Sequence, residues 1–154
     1  MALLPRYKHT QTGYLWIVLF SAVLLFLVYM TIVTGEFAWP ELLVAAILAF
    51  VLFMISSLTV EIKDGLLEAR FGIGVIRKRV RLEEIESYRA VKNHWYYGYG
   101  IRLTPHGWLY NISGNDAIEL KQKNGKTFRI GTDDPAGLET ALRLSLKKLL
   151  ESVV

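Results

Sequence analysis

The sequence predicts an α+β protein: an N-terminal transmembrane helical hairpin, then a β-barrel of about seven or eight short strands capped by one C-terminal α-helix. Three observations predict it. Two charge-free apolar runs lie near the N-terminus. From about Leu58 apolar residues recur at every second position instead. The last segment opens on Asp133-Asp134-Pro135 and continues at helical spacing.

The first apolar run is YLWIVLFSAVLLFLVYMTIV, Tyr14 to Val33, and the second is LLVAAILAFVLFMISSLTV, Leu42 to Val60. Each has about twenty residues, enough for a helix to cross roughly 30 Å of hydrocarbon. The spans are set at 14–34 and 40–60, dividing the chain into a cytoplasmic N-terminal segment 1–13, a two-helix hairpin 14–60 and a cytoplasmic domain 61–154. Arg6 and Lys8 before an apolar run resemble a signal peptide, but the run is longer than a signal core and no small-residue cleavage site follows.

The connection TGEFAWPE, Thr34 to Glu41, is short, so the two helices are antiparallel neighbours. Its charges are acidic, Glu36 and Glu41, whereas Arg6, Lys8, Lys63, Arg70 and the run Arg77, Lys78, Arg79, Arg81 flank the other side. The positive-inside rule then puts both termini in the cytoplasm of a cell with an inner (plasma) membrane. Tyr14, Trp16, Phe37 and Trp39 stand near span ends, where amphipathic rings favour the interface. Neither span holds an ionisable residue of the kind a proton relay or ion pathway uses. Ala45, Ala46 and Ala49 either pack within the hairpin or let another helix approach closely.

Leu58, Val60 and Ile62 alternate with Thr59, Glu61 and Lys63, and Asp64-Gly65 is a hairpin turn signal. Leu67, Ala69 and Phe71 continue the alternation before the turn of Gly72 and Gly74. Further strands are expected over 75–82, 85–91, 100–104, 108–112, 117–123 and 127–130, the last two joined by Asn124-Gly125. The meander curls into a barrel or sandwich. The final helix carries the stripe Leu138, Ala141, Leu142, Ser145 and Leu149, with Arg143, Lys147 and Lys148 toward its C-terminal end. Val60 belongs both to the second apolar run and to the first alternating pattern, so almost no linker separates membrane from domain.

The segments EIKDGLLEARFGIG, RLEEIES, YYGYGIRLTPHGWLYNISG and FRIGTDDPAGLETAL together resemble the small bacterial membrane proteins that carry a pleckstrin-homology-like (PH-like) domain behind a two-helix hairpin. The resemblance covers most of 58–146. It implies a PH-like barrel with one capping helix, a binding or scaffolding role, and no catalytic residues.

The chain has no cysteine, which excludes disulfides and thiol chemistry, and its three histidines, His9, His94 and His106, lack metal-ligand spacing. The net charge of +4 suits work beside an anionic membrane and is too weak to argue for nucleic acid. The glycines of FGIG and YGYG do not sit between a strand and a helix as a phosphate loop requires. Asp133 and Asp134 read as a helix cap, not as a catalytic pair. No cofactor is implied, and an enzyme is the weakest reading.

Two stretches are candidate contacts for anionic lipid or a partner. In the strand RKRVR, Arg77, Arg79 and Arg81 project to one face, and Lys78, Val80 and Leu82 to the other. Such a row can hold phosphates; the plainer reading is a solvated face paired with Glu83, Glu84 and Glu86. In HWYYGY, Trp95, Tyr96 and Tyr97 suggest core and interface packing where the barrel closes, or else a partner or lipid surface. The expected partners are the bilayer itself, anionic headgroups, and a membrane protein or a second copy of the chain. The function expected is a non-catalytic membrane-anchored binding or scaffolding module; the alternative is a structural or regulatory subunit of a larger membrane complex, with the hairpin as its assembly surface.

Overall fold

The computed structural model describes residues 6–36 and 39–151. Phe37, one of the expected aromatic anchors, lies outside the described residues. The chain runs β1 (Tyr7–Thr12), α1 (Tyr14–Thr34), α2 (Trp39–Ile55), β2 (Ser57–Lys63), β3 (Leu66–Phe71), β4 (Arg77–Arg81), β5 (Ile85–Lys92), β6 (Gly100–Thr104), β7 (Gly107–Asn111), β8 (Asp116–Gln122), β9 (Thr127–Gly131) and α3 (Pro135–Glu151).

All eight strands expected from the alternation are present, and β1 is a ninth. It pairs antiparallel with β2 from Tyr7↔Ile62 to Thr12↔Ser57. The segment 1–13, expected as a cytoplasmic N-terminal segment outside the β domain, therefore supplies that domain with an edge strand through Tyr7–Thr12. The helices do not precede that domain but are inserted into its first hairpin, between β1 and β2. The second helix also ends sooner than the span 40–60 expected. It stops at Ile55, because Gly13 N–H donates to the Ser56 carbonyl at 2.8 Å and Ser57 to Val60 are drawn into the ladder with β1. Hydropathy alone cannot register that change, since Leu58 and Val60 are as apolar in a strand as in a helix.

The strands form two sheets, ordered β1-β2-β3-β4 and β5-β8-β9-β7-β6. All neighbours are antiparallel except β7 and β9, which run parallel with Trp108 opposite Phe128 and Tyr110 opposite Ile130. The expected closed barrel is not formed. Among the described residues no ladder joins β4 to β6 or β1 to β5. Helix α3 packs on β5, β8 and the 3-10 turn Leu82–Glu84, and its first turn is tied to β1 by the Tyr7 hydroxyl, so a helix stands where one edge would have to close. The opposite edge, β4, is lined with arginines, a device that discourages further strand pairing.

The core lies between the sheets. Leu58, Val60 and Ile62 of β2, Leu67, Ala69 and Phe71 of β3, and Val80 of β4 face Ile118, Leu120, Phe128 and Ile130, with Leu138 and Leu142 of α3 closing the corner. Asp134 starts α3 as expected: its Oδ1 accepts from Gly137 N–H at 3.0 Å.

Helices α1 and α2 contain no buried residue. A helix apolar on every side has no stable place in water. The 21 residues of α1 are long and apolar enough to cross a membrane; α2 is shorter, with 17.

Candidate functional site

Three surfaces carry the candidate residues, and only the first lies wholly at the end of the β domain from which the helices leave. The first is the junction itself. Gly13 and Ser56 are directly bonded, and a Cβ on Gly13 would lie 2.8 Å from Ile112 Cγ1, so the joint is packed tightly against the turn after β7. Gln11 Nε2 donates to the Ser113 carbonyl at 2.6 Å and ties β1 to that same turn. The turn between β3 and β4 meets the other side of the joint. Gly72 has φ +47°, and a Cβ there would collide with the carbonyl oxygens of Phe53 and Met54 in the last turn of α2. Below these contacts is an almost wholly apolar cavity of about 190 Å³, lined by Trp16, Ile55, Phe71, Ile76, Ile101 and Ile112 among others.

The second surface is β4. Arg77, Arg79 and Arg81 are exposed, Val80 is buried, and Lys78 turns inward with its ammonium 5.4 Å from the centre of the Phe128 ring. Two of the three arginines are engaged. Arg79 donates to Glu68 at 2.6 Å and Arg81 to Glu83 at 3.2 Å. The other acids that the sequence offered as partners go elsewhere: Glu84 accepts from Gln122 and Glu86 pairs with Lys121. Arg77 has no carboxylate within ion-pair distance among the described residues. Position along the strand separates them further. Arg77 pairs with Arg70 near the helix-proximal turn, and Arg81 pairs with Leu66 at the far end, about 13 Å away at the usual rise of a strand. The row thus leads away from the helices.

The third surface is the connection from β5 to β6, which must travel from one edge of its sheet to the other. Asn93 accepts from Arg129 Nη1 at 3.0 Å at its start, and the Tyr97 ring reaches that of His106 at 6.4 Å near the tip of the β6–β7 hairpin. The segment therefore lies across the face of the sheet turned away from the core. Trp95 and Tyr96 are 81% and 62% exposed. The core-filling role expected of them is not what the fold gives. With no barrel seam to close, Tyr96 stacks on His94 and meets Trp95 and Tyr97 edge-on, Trp95 and Tyr96 point outward, and Tyr97 alone of the three is half-buried.

Beneath this crossing lies a cluster that the sequence did not reveal. Glu119 takes two arginines, with Arg129 Nε donating at 2.8 Å to one carboxylate oxygen and Arg89 Nε at 2.8 Å to the other. Burial pushes the Glu119 carboxyl upward, but the hydrogen bonds and charges of Arg129 and Arg89 outweigh it and hold the group below its ordinary value. Arg129 sits between Phe128 and Ile130 in an alternating strand, which reads as a solvent position; only the crossing segment makes it buried.

The remaining candidates are structural in placement. Asp134 caps α3 and accepts from the Tyr7 hydroxyl at 3.1 Å, and Asp133 pairs with His9 of β1. Burial first, and then the Asp134 carboxylate, push the Tyr7 phenol well above its ordinary value. His94 and His106 lie on surface turns without a neighbouring nucleophile. Among the described residues no group of three or more metal-ligating side chains converges.

No protein-family model matches the chain, and no curated protein matches it.

Proposed function

We propose that this chain is a membrane-anchored binding or scaffolding module of PH-like kind, working at the cytoplasmic surface of the inner membrane and not catalytic. The observation that carries the reading is the rigid joint: two apolar helices grow out of paired strands with no linker on either side. A domain so held cannot roam, and whatever it binds is in the membrane or beside it.

The joint also argues for two crossings. At 1.5 Å per residue α1 is about 31 Å long, the thickness of the hydrocarbon layer. If α1 crosses, α2 must return, because Ser56 is bonded to Gly13. At about 25 Å α2 is short for the task, a mismatch that local thinning absorbs at modest cost. The one charge in α2, Glu41, is at its start and accepts from Thr31 at 3.0 Å. Acidic residues at the tip and basic ones on the domain support a cytoplasmic β domain by the positive-inside rule. The eight alternating strands and the capping helix support the PH-like resemblance in kind.

One observation favours the alternative of a subunit within a larger membrane complex. Ala46 and Ala49, three apart on α2, both face outward and offer a second helix a close approach.

The test is a mild-detergent pull-down of the full chain beside a variant in which 14–55 is replaced by a short turn between β1 and β2, with protein and lipid identified by mass spectrometry. A stoichiometric membrane protein kept by the full chain alone makes it a subunit. Anionic lipid or a soluble partner retained through the β domain supports the binding module, and neither being enriched rejects both readings.

A further inference from the structure

We propose that the β3–β4 turn, residues 72–76, is a third membrane contact: Ile73 and Val75 enter the boundary between headgroups and acyl chains, and Arg77 behind them meets lipid phosphate. The inference rests on the membrane-anchor reading and adds to it a defined docking edge that fixes how the β domain stands on the bilayer.

The depth of the turn is set by backbone contacts. Gly72 N–H donates to the Ser57 carbonyl at 2.8 Å, and its Cα is pressed against the carbonyls of Phe53 and Met54 so closely that no side chain fits. The next residues therefore lie within a helical turn of the end of α2, about 5 Å along its axis. The turn is closed on itself by Gly74 N–H to the Phe71 carbonyl at 2.7 Å and Phe71 N–H to the Ile76 carbonyl at 2.9 Å, so it is a firm loop that projects beyond the sheet toward the helices.

Ile73 and Val75 are 53% and 62% exposed, while Ile76 between them and the strand packs on the core. Single exposed apolar residues are ordinary. These two are separated only by Gly74, sit on a turn where polar residues are the rule, and follow directly on the Gly72 contact with the end of α2. Arg77 follows at the first position of β4, exposed and without an acidic partner among the described residues, unlike Arg79 and Arg81 farther along. Apolar tip, then free guanidinium, is the order in which a bilayer presents acyl chains and phosphates.

The native chain lacks cysteine, so single spin labels can be placed without background. Ile73→Cys and Val75→Cys are compared, in the full chain reconstituted into phosphatidylcholine–phosphatidylglycerol vesicles, with Val28→Cys in the middle of α1 and Asn124→Cys on the β8–β9 turn. Collision with oxygen and with an aqueous nickel chelate reports depth. The expected result is that 73 and 75 are shielded from the chelate and exposed to oxygen, as 28 is, while 124 is the reverse. If 73 and 75 behave like 124 while 28 is in lipid, the turn proposal is overturned and the anchor stands. If 28 is also aqueous, the anchor reading falls and the proposal with it. Arg77→Gln, read at position 75, should abolish any greater depth in anionic than in pure phosphatidylcholine vesicles; a difference that survives the change removes Arg77 from the contact.

Discussion

In α1 and α2 no described residue is buried, and Leu25, Val28, Ile47 and Phe50 point outward. In the β domain the same kinds of residue, Leu58, Ile62, Ile118 and Leu120, are fully enclosed. The two regions are joined by adjacent bonded residues, Gly13 and Ser56, so the change from outward to inward apolar surface happens within one peptide of each strand end. Such a sharp change sets one end of the β domain apart, with apolar surface turned outward on one side of the joint and enclosed on the other. It also means that identical side-chain deletions should have unequal consequences on the two sides of the joint.

That contrast is tested most strongly by truncating a leucine in each region. Leu120→Ala removes atoms from an enclosed site between the sheets and should cost about 4 kcal/mol, transfer and cavity terms together. Leu25→Ala, at an outward position that no described part of the chain encloses, should leave the stability of the β domain within about 0.5 kcal/mol of the parent. Urea unfolding in mild detergent, followed by amide exchange in β8, measures both. Equal losses would mean that the helices are part of the same core.

What was legible in the sequence follows the same division. Alternation of enclosed and open positions marked β2 and β3, and turn signals such as Pro105-His106-Gly107 and Asn124-Gly125 marked the later strands, of which β8 and β9 are buried on both faces. It could not mark β1, whose inward residues Tyr7, His9 and Gln11 are polar and are held by Asp134, Asp133 and Ser113 from distant parts of the chain. With β1 unseen, the helices read as an N-terminal hairpin preceding the β domain and not as an insertion within it. The α2 boundary was overrun for a related reason: apolar Leu58 and Val60 satisfy a membrane pattern as well as a strand pattern. The basic row of β4 was readable residue by residue, but its direction away from the helices depends on β3 pairing. The exposure of Trp95 and Tyr96, and the burial of Arg129 beneath the crossing, depend on a strand order that no local pattern encodes.

The cluster under that crossing gives the next largest effect. Glu119→Gln leaves the buried Arg129 guanidinium without its counter-charge and should cost about 3 kcal/mol near neutral pH. Because the carboxyl is held below its ordinary value, its stabilising contribution is present above the unfolded value of about 4.3 and fades as pH falls through the folded one. The variant should therefore show a flatter acid limb than the parent. A parallel loss at every pH would assign the effect to packing alone.

Gly72→Ala acts on the joint. The residue has φ +47° and no space for a Cβ against the Phe53 and Met54 carbonyls, so the turn must move off the end of α2 or strain the backbone, for about 2 kcal/mol. Gly125→Ala has a similarly left-handed φ of +84° but nothing near its Cβ, and serves as the control for backbone strain without collision. A greater loss at 72 than at 125 measures how firmly the sheet is braced against the helix.

The smallest effect contrasts how the helices of the two regions begin. Helix α1 starts at Gly13 with no side-chain cap, whereas α3 depends on Asp134, which serves Gly137 N–H and the Tyr7 hydroxyl at once. Asp134→Ala should cost about 1 kcal/mol, and Asp134→Asn, which keeps a capping oxygen, much less. Tyr7 separates the two jobs. Its phenol is raised in the folded protein by burial and then by the Asp134 carboxylate, so its contribution is intact below the unfolded value of about 10 and is lost as pH rises above it. Both variants weaken the upward push of Asp134 on the phenol and should lose less stability in that alkaline range, while only the alanine variant is weakened at neutral pH. An asparagine variant as unstable as alanine at neutral pH would show that the carboxylate charge, and not the cap geometry, ties α3 to the strand that leads into the apolar helices.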